Sequence, residues 1–288
     1  ECPVAIAPAM NQAMWSKPAT QDNQSILVHR GVHLLGPDSG LQACGEIGAG
    51  RLLDIDPLIE RVSALFDTGK LQGRTVLITA GPTREAIDPV RFISNHSSGK
   101  QGYALAAAAA DAGANVILVS GPTNLSPPER VEHVPVISAM QMHETVQARV
   151  GDVDVFIGVA AVADYRPTLT QSQKIKKATH GKSTLTLELV ENPDIIAEVA
   201  ARKNKPFTVG FAAETEQLET FARKKLAQKN LDMIVANNVS NTDIGFNSDQ
   251  NAITLYEQDD SLDLPMMSKR ALSEKLIDRI AEHLRAKP

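Results

Sequence analysis

Short runs of apolar and β-branched residues alternate with longer segments of helical periodicity over most of the chain. From residue 74 onward, the apolar runs predict strands at 75–80, 115–120, 131–136, 153–159, 184–190, 207–211, 231–236 and 251–257. The periodic segments predict helices at 99–112, 138–149, 194–203, 216–229 and 268–285. Apolar strands separated by helices indicate βαβ units, which form a mostly parallel sheet covered by helices. The later strands are separated by turn signals, and antiparallel pairing suits them.

The first 66 residues have a weaker pattern that predicts a different unit. Residues 2–7 suggest the end of a strand, 12–30 a helical stretch, 32–35 a short strand and 57–66 a helix. Residues 36–50 are rich in glycine and polar residues and predict a loop. We therefore expect an incomplete first domain at 1–66, a linker at 67–73 and a second domain at 74–288.

Composition narrows the class of protein. The 288 residues are long enough for two cores, and a hydrophobic content of 43% with 22% charged residues is ordinary for a globular protein. The net charge of −5 argues against non-specific nucleic-acid binding. Two cysteines make no disulfide framework and suit the reducing cytoplasm. We find no signal peptide and no apolar run long enough for a membrane helix. Since the chain starts at Glu1 in mid-pattern, we expect a fragment.

The segment between the strand at 75–80 and the helix near Gly99 carries the most polar chemistry. It is far longer than the roughly 2–6 residues usual in βα connections, and loops of that length are usually functional or disordered. It ends in Ser97-Ser98-Gly99 at a helix start, where backbone N–H groups and the helix dipole can hold an anion. The alternative is a polar surface loop with a serine cap.

Three motifs give the chain a family resemblance. The sequence ITAGPTREAIDPVRFISNHSSGKQG resembles the signature of phosphopantothenate–cysteine ligases, which have a Rossmann-like sheet with helices on both faces. The sequences PAMNQAMW at 8–15 and LQACGEIGAGR at 41–51 resemble motifs of flavin-dependent phosphopantothenoylcysteine decarboxylases, which are flavodoxin-like α/β proteins. The resemblance implies a fragment of a bifunctional enzyme of coenzyme A biosynthesis, with a partial decarboxylase domain before a ligase domain.

The resemblance also implies a reaction. In bacterial ligases of this family, the carboxylate of 4′-phosphopantothenate attacks the α-phosphate of CTP, pyrophosphate leaves and an acyl-cytidylate forms. Cysteine then displaces CMP and gives phosphopantothenoylcysteine. The protein mainly positions groups and neutralises phosphate charge. Mg²⁺ is expected with the triphosphate, and Asp164 is a candidate ligand.

The resemblance assigns residues to the nucleotide. The segments GVAAVADYRP, KIKK, NPDI and GFAAET are similar to the family's nucleotide-binding segments, and two lysines follow on the helix at 216–229. From the residues alone, KIKK and the helix lysines could form solvated faces, Asn192 and Pro193 could cap a helix, Asp164 could cap a turn, and Phe211 could be core. The implied CTP-binding residues are Gly158, Val159, Ala160, Asp164, Lys174, Asn192, Pro193, Asp194, Ile195, Phe211, Lys225 and Lys229.

The remaining implied residues bind or transform the acyl substrate. Asn95 matches a family asparagine tied to the acyl-cytidylate, Ser97 and Ser98 are substrate-binding candidates, and Lys174 stabilises charge as the intermediate forms. In the decarboxylase motifs, Asn11 matches a substrate-binding residue and Cys44 an acid that protonates the enethiol intermediate. The chain departs from that family because the catalytic histidine motif and most of the FMN site are missing. FMN and decarboxylation therefore belong to the intact parent.

Two rival functions stay open. A Rossmann oxidoreductase is weakened because the first turn lacks G-x-G-x-x-G and no acidic residue ends the second strand. A nucleotide-binding subunit without catalysis is weakened by Asn95 together with Lys174, since binding alone does not require both. The resemblance further implies a cytoplasmic homo-oligomer, with ligase dimers and decarboxylase trimers in the parent, and no nucleic-acid or membrane partner.

Overall fold

The computed structural model describes residues 2–43, 45–66, 69–176, 184–214, 218–238 and 248–286. The chain divides into two compact units, Glu1–Thr68 (unit 1) and Gly69–Pro288 (unit 2). We describe each unit by itself.

Unit 1 contains short elements and few buried side chains. Its elements are β1 (Ala5–Ile6), α1 (Gln12–Trp15), α2 (Pro18–His29), β2 (His33–Leu34), β3 (Asp38–Leu41), β4 (Ile47–Arg51) and α3 (Ile55–Ala64). The helical stretch predicted at 12–30 is two helices, because Pro18 has no N–H and starts a new helix at its first turn. The loop predicted at 36–50 is largely an antiparallel hairpin of β3 and β4.

Unit 2 is built on one eight-stranded sheet. Its strands are β5 (Thr75–Ala80), β8 (Asn115–Ser120), β9 (Val131–Pro135), β10 (Val155–Gly158), β13 (Phe207–Glu214), β14 (Met233–Asn238), β15 (Gln250–Tyr256) and β16 (Ser261–Ser268). Their order across the sheet is β16-β15-β14-β13-β10-β5-β8-β9. The six neighbouring strands β14-β13-β10-β5-β8-β9 pair in parallel, whereas β15 and β16 extend the sheet with antiparallel pairing.

Helices cover both faces of this sheet, as the sequence predicted. They are α4 (Lys100–Asp111), α5 (Ala139–Arg149), α6 (Ile195–Ala200), α7 (Leu218–Gln228) and α8 (Lys269–Ala286), and a 3₁₀ turn at Val150–Asp152 follows α5. Leu105 of α4 and Leu276 of α8 belong to one buried cluster with alternate strand residues. Met142 of α5 and Val199 of α6 belong to a second cluster with Phe156. The mostly parallel α/β sandwich is therefore confirmed.

The small residues of α4 explain how closely it lies on the sheet. A Cβ atom added to Gly102 would stand 2.5 Å from the Cβ of Ala80 in β5. Ala106 and Ala109 on the same helix are completely buried. The alanine-rich run therefore brings the start of α4 against the end of β5, where the polar loop begins.

Two parts of the predicted strand pattern were wrong. The strand expected at 184–190 is only β12 (Leu189–Glu191), which pairs with β11 (Tyr165–Pro167) in a separate two-stranded sheet. β16 was missed because it contains Pro265, which has no backbone N–H to donate to a neighbouring strand. An edge strand tolerates such a residue, and β16 is at the edge of the sheet. A further small hairpin joins β6 (Glu85–Ala86) to β7 (Phe92–Ile93) within the long polar loop.

Candidate functional site

The strand order creates a switch point between β5 and β10. After β5 the chain adds β8 and β9 on one side of the sheet, and it then returns to place β10 on the other side. In open α/β sheets, ligands bind at such a point, outside the carboxyl ends of the strands. Here the loops after the two strands are tied together, because Ala161 N donates to the Gly81 carbonyl over 3.0 Å and Ala163 N donates to Thr83 Oγ1 over 3.0 Å.

A first cavity of about 480 Å³ opens at this edge, on the side of α6 and α7. Its walls come from the loop after β10, the start of α6, Phe211 of β13, Lys225 of α7 and Lys229 directly after that helix. The structure thus brings together residues that lie far apart in sequence. The predicted residues that line it are Gly158, Ala160, Asp164, Asn192, Pro193, Asp194, Ile195, Phe211, Lys225 and Lys229.

Both lysines of this cavity contact its walls. Lys229 Nζ lies 2.6 Å from Asp194 Oδ2, and Lys225 Nζ donates to the carbonyl of Phe211 over 3.2 Å. Asp194 also caps α6, since its Oδ1 accepts from Ala197 N over 3.1 Å. The alternative that Asn192 caps this helix is wrong, because Asn192 Nδ2 instead donates to the Ala163 carbonyl over 2.8 Å and joins two walls of the cavity.

A second cavity of about 200 Å³ lies on the side of α4 and α8. It contains Ser97 and Ser98, together with Lys100 and Lys269 at the first positions of the two helices. Ala160 and Phe211 line both cavities, so the two are neighbours that share a wall. Val159, which was predicted to contact the nucleotide, lines this second cavity.

Sequence reasoning missed Asn251 and Lys269, which line the second cavity. Asn251 lies in the antiparallel strand β15 and Lys269 begins α8, so both reach the parallel core only through the tertiary fold. A polar residue within a strand pattern was the available signal at Asn251. No local pattern distinguishes Lys269 from the other lysines of the chain.

Asn95 links the two loops at the switch point. Its Nδ2 donates to the carbonyl of Ala161 over 2.6 Å, and its Oδ1 accepts from Ser97 N over 3.1 Å. The side chain is exposed and does not line either cavity, although Ala161 and Ser97 line the second. Its role with an acyl-cytidylate stays a prediction.

Lys174 is exposed and also lies outside the lining of both cavities. Its segment is attached to the β6–β7 hairpin, because Gln171 N donates to the Ile87 carbonyl over 3.0 Å and Ile175 N donates to Asp88 Oδ2 over 3.2 Å. The Asp88 side chain is fully buried, and its hydrogen bond with the Arg91 guanidinium holds the pKa of this carboxyl well below its usual range. A buried carboxylate therefore anchors the segment that carries Lys174.

Replacing Asp88 with asparagine is expected to loosen this attachment. The variant keeps the shape of the side chain but loses the charge that strengthens its hydrogen bonds. We expect the Ile175 amide to exchange with solvent about tenfold faster, as measured by hydrogen exchange. Glu129→Gln, which removes an exposed carboxylate elsewhere in unit 2, is the control.

The pH dependence of the same attachment follows from the lowered pKa of Asp88. A carboxyl whose pKa is lowered by folding stabilises the folded state above its unfolded pKa of about 4, and this contribution is lost as the pH falls further. The protection factor of the Ile175 amide against hydrogen exchange should therefore be constant between about pH 5 and 7 in the unmodified chain. A fall in this protection factor as the pH is lowered from 7 to 5 would contradict the role of Asp88 as the anchor.

The metal prediction rests on Asp164. Among the described residues, no three histidine, cysteine, aspartate or glutamate side chains converge as a metal site. Mg²⁺ commonly needs only one or two carboxylates together with substrate phosphates. Asp164 in the first cavity fits that requirement, and an Mg²⁺ held there would draw its other ligands from phosphates and water.

The predicted decarboxylase residues lie in unit 1. Asn11 caps α1 through Oδ1, which accepts from Ala13 N over 2.8 Å, while Nδ2 donates to Glu46 over 2.9 Å. Cys44 lies outside the described residues. Only Leu35, Gly50 and Leu53 are buried among the described residues of this unit. A flavin ring needs enclosing apolar walls, so these residues do not by themselves fit FMN.

The sheet, its switch point and the two adjoining cavities define a class of protein. Unit 2 is a doubly wound, Rossmann-like α/β domain with ligand cavities at the carboxyl edge of its sheet. Among the described residues, no helix is long and apolar enough to cross a membrane.

Comparison with known proteins narrows the class to a family. Residues 71–284 match the family described as DNA/pantothenate metabolism flavoprotein C-terminal domain, and residues 1–67 match the family described as Flavoprotein. The coenzyme A biosynthesis bifunctional protein CoaBC of Vibrio parahaemolyticus is 54% identical over 98% of this chain and 71% of its own length. The Escherichia coli CoaBC protein is 51% identical over 96% of this chain and 69% of its own length. A crystal structure of a CoaBC C-terminal domain covers 75% of this chain and 98% of its own, with 43% identity and a TM-score of 0.64.

The chain belongs to the CoaBC family of coenzyme A biosynthesis. Members of this family are bifunctional enzymes that combine phosphopantothenate–cysteine ligase and phosphopantothenoylcysteine decarboxylase activities. The family resemblance predicted from the motifs is confirmed.

Proposed function

We propose that unit 2 joins cysteine to 4′-phosphopantothenate with CTP through an acyl-cytidylate intermediate. The observation that carries this proposal is the shared wall of the two cavities. The first cavity has room for a nucleotide, and Lys225 and Lys229 can face its phosphates. The second cavity is smaller, and Lys100 and Lys269 lie in its lining. A substrate carboxylate and a nucleotide α-phosphate can meet only where two such sites adjoin, as they do at Ala160 and Phe211.

In the proposed first step, the phosphopantothenate carboxylate attacks the α-phosphate of CTP, a P–O bond forms, and the bond to the leaving pyrophosphate breaks. Lys225 and Lys229 face the phosphates, and their positive charge offsets the charge that builds on the leaving group. Because Lys229 Nζ pairs with Asp194, binding of the nucleotide exchanges this carboxylate partner for a phosphate. Asp164 would hold Mg²⁺ in part, and the ion would supply further charge neutralisation at the phosphates.

In the proposed second step, the cysteine amine attacks the activated carbonyl, a C–N bond forms and CMP leaves with the electron pair of the broken C–O bond. The proton that the amine loses on the way to the amide passes to water or to the phosphate of the leaving CMP. Asn95 positions the acyl group through its amide, which already joins the loops after β5 and β10. Lys174 reaches the phosphates from its anchored segment.

Assembly and the decarboxylase half complete the proposal. The β6–β7 hairpin exposes Val90 and Phe92, with 59% and 49% of their surfaces accessible, which supports a ligase dimer through this region. FMN and decarboxylation belong to the complete flavoprotein domain, together with its trimers. Location in the cytoplasm remains a prediction from cysteine usage.

The deciding experiment measures pyrophosphate release from the purified chain with CTP, Mg²⁺ and 4′-phosphopantothenate, with and without cysteine. We expect release that requires phosphopantothenate, and CMP with the cysteine adduct only when cysteine is added. A folded protein that releases no pyrophosphate with CTP or ATP would contradict the ligase function and favour a non-catalytic nucleotide-binding subunit.

A further inference from the structure

We propose that Thr123 is a positioning residue for the ligase reaction, because its γ-methyl group fixes the loop that carries Asn95. Thr123 lies in the loop after β8, it lines neither cavity, and no motif of the sequence analysis includes it. This inference rests on the proposed function, in which Asn95 positions the acyl group for attack by cysteine. It adds a residue that acts through Asn95 and does not itself touch the substrate.

The methyl group of Thr123 packs between two buried glycines. A Cβ atom built on Gly81 would stand 2.9 Å from Thr123 Cγ2, and a Cβ atom built on Gly99 would stand 2.8 Å from the same methyl carbon. The Cβ atom on Gly99 would also stand 3.4 Å from the Cα atom of Gly81, so the two glycines are neighbours. Their φ angles of 73° and 78° lie in the region that favours glycine. One methyl group from a third loop therefore occupies the space beside both residues.

A buried chain of hydrogen bonds fixes the direction of this methyl group. Thr123 Oγ1 donates to Tyr103 OH over 3.1 Å and accepts from Leu125 N over 3.3 Å. Tyr103 OH lies 3.0 Å from Ser120 Oγ, which in turn lies 2.8 Å from His133 Nε2. Tyr103 and Ser120 are buried. Because the χ1 angle of a β-branched residue has few allowed values, holding Oγ1 in place also holds the methyl group against the glycines.

The two glycines are the ends of a series of contacts that passes through Asn95. The Gly81 carbonyl accepts from Ala161 N over 3.0 Å, and the Ala161 carbonyl accepts from Asn95 Nδ2 over 2.6 Å. Asn95 Oδ1 then accepts from Ser97 N over 3.1 Å, two residues before Gly99. The packing of the threonine methyl group on both glycines closes this series into a ring. The position of the Asn95 amide therefore depends on a side chain outside the cavities.

The consequence of an open ring falls on the second step of the reaction. Attack of the cysteine amine on the acyl-cytidylate gives the amide and CMP. Attack of water instead forms a C–O bond to the acyl carbon, breaks the bond to CMP and returns phosphopantothenate, and the proton of the water passes to solvent. Misplacement of a reacting group by about 1 Å can lower a rate about 100-fold. A displaced acyl group therefore favours water, which needs no positioning, and pyrophosphate is released without a matching amount of adduct.

The test measures pyrophosphate and cysteine adduct together, using the full chain with CTP, Mg²⁺, phosphopantothenate and cysteine. Thr123→Ser keeps the hydroxyl group and removes the methyl group, and we expect about two or more pyrophosphates for each adduct, against about one in the unmodified chain. The KM for CTP should not change. Thr123→Val places a carbon at both γ positions, so its ratio should match that of the unmodified chain. Thr145→Ser, the same change at a half-buried threonine of α5, is the matched control.

Hydrogen exchange of the Ser97 amide provides a second measurement that does not depend on turnover. We expect this amide to exchange about tenfold faster in Thr123→Ser and at the unmodified rate in Thr123→Val. An unchanged ratio of pyrophosphate to adduct in folded Thr123→Ser, even with lower total activity, would overturn the inference. Equal uncoupling in Thr123→Val would assign the effect to the hydroxyl group and would also overturn it. Absence of turnover in the unmodified chain would instead count against the ligase function, and the exchange of Ser97 would still test the packing.

Discussion

Replacing Lys174 with glutamine is expected to reduce pyrophosphate release by at least about 100-fold under saturating CTP and phosphopantothenate. Loss of one charged or hydrogen-bonding group that stabilises a developing anion commonly costs about 10²–10³ in rate. The effect should fall on kcat more than on the KM for CTP, because Lys225 and Lys229 remain in the first cavity to bind the nucleotide. Rapid-quench measurement of CMP and pyrophosphate would separate binding from chemistry.

Lys176→Gln is the matched control for this variant, since Lys176 is an exposed lysine two residues along the same segment. We expect it to retain activity within about threefold, because the family resemblance places Lys174, and not Lys176, on the phosphates. Equal losses in both variants would show that the segment acts through its overall charge. Full activity of the Lys174 variant would remove this residue from the mechanism and leave charge neutralisation to Lys225 and Lys229.

Replacing Gly121 with alanine is expected to destabilise unit 2 and also to lower its activity. A Cβ atom at this position would stand 1.7 Å from the carbonyl oxygen of Pro82, so backbone must move. Overpacking of this kind typically costs about 1–3 kcal/mol. Pro82 lies beside Thr83, whose Oγ1 joins the two loops of the switch point, so the displacement reaches the site. Calorimetry should show a melting temperature lower by about 2–4 °C for each kcal/mol.

Gly151→Ala is the control for this prediction, because no atom lies within 4 Å of a Cβ built there. The same chemical change should therefore leave stability and activity nearly unaltered. If Gly121→Ala melts at the same temperature as Gly151→Ala, the close approach of the loops after β5 and β8 is not a constraint on the fold.

Most of the central sheet could be predicted because its strands are buried on both faces. A continuous apolar run such as 75–80 suits only a strand that is covered on both faces, and the structure places β5 inside the sheet. The segment at 184–190 shows where this reasoning ends. Its alternating leucines at 185, 187 and 189 have 49%, 37% and 43% of their surfaces exposed, so the pattern of a strand is present without a core to cover it. The partner strand β11 is set by tertiary structure.

The site was predictable where its residues follow parallel strands. The carboxyl ends of β10 and β13 must meet at one edge of the sheet, and Asp164 and Phe211 therefore line the same cavity. Asn251 and Lys269 come from the antiparallel return of the chain, whose pairing with β14 no periodicity specifies. The position of Lys174 depends on a buried carboxylate many residues earlier, which sequence spacing does not reveal.

The antiparallel extension formed by β15, β16 and α8 has a consequence for descent. The parallel core with α6 and α7 carries the first cavity by itself, whereas residues 248–286 complete the second. Under the proposed function, the nucleotide is bound by the parallel core alone, whereas the cavity for the acid also needs Asn251 and Lys269 from the C-terminal stretch. A lineage that altered the C-terminal stretch would change one wall of the acid's cavity and leave the lining of the nucleotide's cavity as it was.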